Sequence, residues 1–199
     1  MKKLFILLFV LVGCTAEEPD LFDEVLIQNT IEDITTGIFK DLDHLEDRVI
    51  TQVRTQFYEG NFDTLNYYAY YNFFRLEAKI HGIDLSHLDK HEVIIEDRTH
   101  VNKDWVAWAK ARDNDELVHI GVNRELFFHP QRTTRARIFI MFHELGHDAL
   151  NLEHKTPTAG DCRRLTSIMN PCGMADINFY KLSTLTRSMF IWEYQFNKL

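Results

Sequence analysis

The chain has 199 residues, enough for one compact domain and too few for two sizeable ones. Its apolar fraction of 45% and aromatic fraction of 13% suffice for a packed core. A formal charge of −8 repels phosphate backbones and argues against nucleic-acid binding.

The N-terminus speaks to compartment. Two lysines precede nine consecutive apolar residues, Leu4 to Val12, and then Gly13 and Cys14. Nine residues rise only about 14 Å as a helix, too short to span a bilayer. A basic start, a short apolar run and a small residue read as a secretory leader. The "LVGC" sequence is similar to a bacterial lipobox. That similarity implies a signal peptide over 1–13, cleavage before Cys14 and lipidation of Cys14. Residues 14–20 are then a tether, and 21–199 a single domain on the extracytoplasmic side of a bacterial membrane, held there only by lipid. Loss of Lys2 and Lys3 moves the charge to about −10. Two cysteines remain, Cys162 and Cys172. Outside the cytoplasm they form a candidate disulfide, with free thiols or a metal pair as the alternatives.

Residues from Leu21 to about Gly60 are acidic and read as helical. In "TLNYYAYYNFFRLEAKIHG", Tyr67, Tyr70, Tyr71, Phe74 and Ala78 recur at helical spacing and Gly82 follows as a stop; a core stripe is expected. Three β-like runs follow, at 92–97, 104–111 and 116–123, with "RDND" between the last two as hairpin-turn chemistry. In the third run Val118, Ile120 and Val122 alternate with Leu117, His119 and Gly121, so one face is buried. A helix over about 134–151 is capped by Thr133 or Thr134, with Ile138, Met141, Phe142, Leu145 and Ala149 on its apolar side. A polar segment then leads to an amphipathic helix over about 177–196, whose inner side carries Phe179, Leu182, Leu185, Met189 and Phe190. The arginines near the start of the long helix (Arg132, Arg135, Arg137) read as a solvated or acid-paired face. The order of elements predicts an α+β fold.

The long helix carries "HELGHDALNLEH", residues 143–154. His143 and His147, four apart, share one helix face at about 6 Å and can aim at one ion. Neutral imidazole suits zinc, and catalytic zinc sites use three protein ligands with one position open. Glu144, about 100° round the helix, is placed to handle the proton of an attacking water. The flanking "IFIMF" buries this helix, and buried histidines need partners.

The third ligand requires a turn. On a continuous helix His154 would lie about 10 Å beyond His147. Asn151 is the residue best suited to a left-handed helix end, which would fold the chain back and present His154.

These residues resemble the metzincin clan of zinc metallopeptidases, whose signature is H-E-x-x-H-x-x-G-x-x-H followed by a methionine-containing turn. "SIMNP", Ser167 to Pro171, is similar to that turn, with Met169 as the apolar floor. The resemblance implies a zincin-like fold: a small mixed sheet packed on the active-site helix, an irregular turn and a C-terminal helix. It implies one catalytic Zn2+ held by His143, His147 and His154, with Glu144 as the base. Peptide or protein is the implied substrate, lying along an edge strand expected within 116–123, and a monomer is expected. Two positions depart from the signature. Its glycine falls on Leu150 and its third ligand on Glu153. Either Asn151 replaces the glycine one residue later and His154 ligates, which is the expected case, or Glu153 ligates. Asp148 either bonds a ligand histidine or nearby backbone group, or faces solvent. Tyr180 is remote, so no oxyanion donor is named. The remaining histidines (44, 81, 87, 91, 100, 119, 129) lack ligand spacing and read as structural or exposed. The function expected is metal-dependent peptide hydrolysis. A non-catalytic metal-stabilised binding lipoprotein and a zinc hydrolase of non-peptide amides or esters stand as alternatives.

Overall fold

Helical segments with aromatic or β-branched stripes come first among the described residues of the computed structural model, which are 21–36, 45–60, 65–85, 88, 92–100, 103–109, 117–155, 167–170 and 178–196. Helix α1 (Leu21–Thr36) packs on α2 (Asp47–Glu59) and α3 (Tyr67–Ile80). Val49, Val53 and Phe57, four apart, form the buried stripe of α2, which ends at Gly60 with φ 77°. Asn66 caps α3 by accepting the amide of Tyr68 at 3.0 Å, and Gly82, with φ 70°, follows its end.

The expected core stripe of α3 is buried, and Phe73 joins it. Phe73 stacks on Phe57 of α2 at 4.5 Å between ring centroids. Phe74 meets Phe142 edge-on at 5.3 Å and Phe190 at 5.2 Å. Each buried ring removes about 150–250 Å² from water, so this one helix cements three others. Beside it Glu77 is fully buried, and the Arg54 guanidinium grips it through two hydrogen bonds, the second at 3.0 Å.

The sheet has three strands: β1 (Glu92–Asp97), β2 (Ala107–Ala109) and β3 (Leu117–Val122), in the order β1-β3-β2. β1 runs parallel to β3 with Glu92 opposite Leu117, and β2 runs antiparallel with Ala109 opposite Ile120. Val118, Ile120 and Val122 are buried, as their alternation predicts. On the other face Gly121 lies beneath the Trp108 indole, where any Cβ would collide. The run at 104–111 is thus shorter as a strand than expected within the described residues. β3, the run expected to offer an edge, is the central strand with a neighbour on each side.

A single turn, α4 (Arg124–Phe127), capped by Asn123, leads to α5 (Thr134–Asp148). Thr133 caps α5, its hydroxyl accepting the Ala136 amide at 3.2 Å. Two of the three arginines there bond to backbone: Arg132 donates to the Leu126 carbonyl (2.9 Å) and Arg137 to that of Arg132 (3.1 Å). Arg137 also lies over the Phe128 ring at 5.3 Å. Ile138, Met141, Phe142 and Leu145 are fully buried, and α5 packs between the sheet and the helices. The last helix, α6 (Phe179–Ser188), continues as a π-helical segment, Met189–Gln195. Leu182, Leu185, Met189 and Phe190 are buried as expected. The result is an α+β fold with a small mixed sheet. The expected leader and tether with Cys14, the pair Cys162 and Cys172, the expected turn at "RDND", Pro171, the side chains of Phe179 and Tyr180, and His44, His87 and His91 lie outside the described residues.

Candidate metal centre

Helix α5 stops three residues before Asn151, shorter than the sequence predicts, and the chain reverses where expected. Ala149 still donates to Leu145 at 2.8 Å. Asn151 then takes φ 57°, the left-handed conformation, and is the only non-glycine among the described residues with positive φ. Asparagine tolerates this region because its short polar side chain bonds locally. The reversal lets the Leu152 amide reach back to the Gly146 carbonyl at 2.9 Å, while Leu150 and Leu152 bury their side chains.

That turn delivers His154 to the helix. Its Nε2 lies 3.1 Å from Nε2 of His143, which in turn lies 3.2 Å from Nε2 of His147. One ligand atom from each ring falls within a group no wider than 4.8 Å, able to hold a metal ion. Glu153 does not belong to the group.

The donor set fits an ion. His143 Nδ1 is 2.7 Å from the Ile168 carbonyl, and His147 Nδ1 is 2.7 Å from the Leu152 carbonyl. A carbonyl only accepts, so each Nδ1 carries the proton and each Nε2 presents a lone pair. Lone pairs facing one another at this distance repel unless a cation lies between them. With metal–nitrogen bonds of about 2.0–2.1 Å, tetrahedral ligands stand about 3.3 Å apart, close to the spacing here. Burial, helped by the neighbouring histidines and opposed by the Ile168 bond, pushes the His143 pKa down to about 4. The ring is therefore neutral, as a ligand must be. His154 is exposed, so the group opens to solvent on its side.

Glu144 lies beneath β2, an outer strand among the described strands. Its Oε2 accepts the backbone amide of Ala109 in β2 at 2.8 Å. Burial raises its pKa to about 7, and the Ala109 bond only partly opposes this. Met169 is fully buried, and the absence of a side chain at Gly146 is what admits its sulfur against α5. Ser167 accepts the Met169 amide at 2.8 Å, and the Met169 carbonyl accepts the amide of Lys155, next to His154, at 2.9 Å.

Asp148 makes a backbone contact: its Oδ2 accepts the amide of His119 at 2.8 Å, tying the end of α5 to β3. His119 is engaged elsewhere, its Nε2 2.6 Å from Glu96. The expectation of a substrate edge within 116–123 fails, since β3 is central and the strand above Glu144 is β2. Three contributions are not legible in the sequence: the carbonyls of Ile168 and Leu152 and the amide of Ala109. All three are backbone groups and carry no residue signal. Set against known proteins, the chain matches no family model, no curated protein and no solved structure.

Proposed function

We propose that the protein is a zinc-dependent metallopeptidase of metzincin type, acting outside the cytoplasm from a lipid anchor at Cys14. The observation that supports this best is the joint geometry of His143, His147 and His154 with Glu144 beside them. A structural metal site has no need of that carboxylate, which is costly to bury. Zinc in such a site lowers the pKa of water to near 7 and polarises a carbonyl. The chain supplies the rest. Ala109 orients the Glu144 carboxylate, which takes the proton of the attacking water and returns it to the leaving amine. β2, the strand whose backbone meets Glu144, is the edge along which an extended peptide adds. Met169 forms a dry floor under α5.

The test combines metal analysis with cleavage of a peptide library by the purified chain. The expected result is one ion per chain, lost in His154→Ala and retained in Glu153→Ala. Glu144→Gln should keep the ion and lose about 10²–10⁴-fold in kcat. Binding of the ion without Glu144-dependent cleavage of any peptide would leave a non-catalytic metal-binding lipoprotein. Cleavage of esters or non-peptide amides alone would move the assignment to another class of hydrolase.

A further inference from the structure

Residues Ser167 to Met169 form a node that touches both histidine-bearing segments, helix α5 and the chain beside His154. The Ile168 carbonyl accepts the Nδ1 proton of His143 at 2.7 Å. The Met169 carbonyl accepts the amide of Lys155, one residue after His154, at 2.9 Å. The node's own shape is held by Ser167, whose hydroxyl oxygen accepts the Met169 amide at 2.8 Å. That hydroxyl has one proton to give, and gives it to Oε2 of Glu193 at 2.8 Å. Glu193 is 6% exposed and Ser167 3%, so water does not compete for this bond. Glu193 comes from the π-helical end of the last helix, among Met189, Phe190 and Tyr194, all buried.

A carboxylate in that setting is expensive, and burial accordingly raises its pKa against the opposing effects of Ser167 and the Lys155 charge. An apolar residue would pack there at lower cost, but could not orient the Ser167 hydroxyl. π-helical insertions are rare and concentrate at functional sites. We propose that Glu193 is a positioning residue for the three-histidine centre: it locks the Ser167–Met169 turn, and through it the His143 ring and the chain carrying His154. The proposal rests on the metal-site reading above. It makes the C-terminal helix part of the apparatus that sets metal affinity.

Cobalt(II) is a suitable probe, titrated into the full chain against a competing chelator, with the visible d–d bands reporting ligand geometry. Wild type should bind and show the bands of a four-coordinate site. Glu193→Ala and Ser167→Ala should each weaken cobalt binding by about 10–100-fold and shift the bands, the range typical of outer-shell partners. Glu193→Gln, whose amide oxygen still accepts from Ser167, should recover most of the affinity. Glu193→Ala that binds cobalt as tightly as wild type, with unchanged bands and only a lower Tm, would overturn the proposal. Should Glu193→Ala not fold, Ser167→Ala, which removes the same bond with less loss of volume, decides by the same criterion. A wild-type chain that takes up no cobalt overturns the metal-site reading itself, a distinct outcome.

Discussion

Glu77, between α2 and α3, and the histidine pair of α5 are two ways of taking polar groups out of water. Burial alone would raise the Glu77 pKa, but the His81 imidazole 3.6 Å away and the doubly hydrogen-bonded Arg54 guanidinium outweigh it and hold the carboxyl below its ordinary range. That cluster is closed, because the protein supplies both charges. At the end of α5, His143 and His147 also leave water, yet their Nε2 atoms converge with that of His154 into a group that could hold a metal ion. Backbone carbonyls already hold the Nδ1 protons of both helical rings. The second cluster is thus one that a metal ion could complete.

Breaking the closed cluster gives the largest effect on stability. Glu77→Leu should cost about 3 kcal/mol in denaturant unfolding, at the low end for buried pairs because Arg54, 26% exposed, can turn to water. Metal content should be unchanged, since the two clusters share no residue. The same carboxylate sets an acid limit. Its folded pKa lies below the unfolded value of about 4.5, so its contribution is complete above that pH and is lost as pH falls through the folded value. Urea unfolding followed from neutral to acid pH should therefore fall more steeply for wild type than for Glu77→Gln. Gly146→Ala tests the floor of the open cluster. Its Cβ would meet the Met169 sulfur, an overpacking that should cost about 1–3 kcal/mol. Met169→Ala in the same chain should relieve part of that cost, a coupling read from a double-mutant cycle. The smallest effect belongs to the turn. Asn151→Leu places a branched side chain in the left-handed region at roughly 1 kcal/mol or more, measured as a lower Tm, whereas Asn151→Gly should be nearly neutral.

Legibility in the sequence followed the periodicity of side chains. The aromatic stripe of α3, the alternation in β3 and the four-residue spacing of His143 and His147 each repeat with the period of their element, so each could be read. Asn151 was readable for a different reason: few residue types accept positive φ, and of those between His147 and His154 it is the one far enough from His147 to end the helix. The early end of α5 was not readable, because Ala149 and Leu150 continue the apolar pattern and bury themselves in the turn as they would in a helix. Strand order was equally hidden. Alternation shows which face of β3 is buried, but not that both its edges are occupied. Arg132 and Arg137, around the start of α5, bond to carbonyls, partners that composition does not reveal.

The hydrogen bond from the Lys155 amide to the Met169 carbonyl has a consequence for how such a chain can vary. It holds Lys155 and Met169 together, so the chain leaves the site and returns to it at fixed points beside the histidines. A connection between points held in this way can lengthen cheaply, at about 0.6 kcal/mol for each doubling. Insertions there would reshape the surroundings of the site while leaving His143, His147 and His154 where they are.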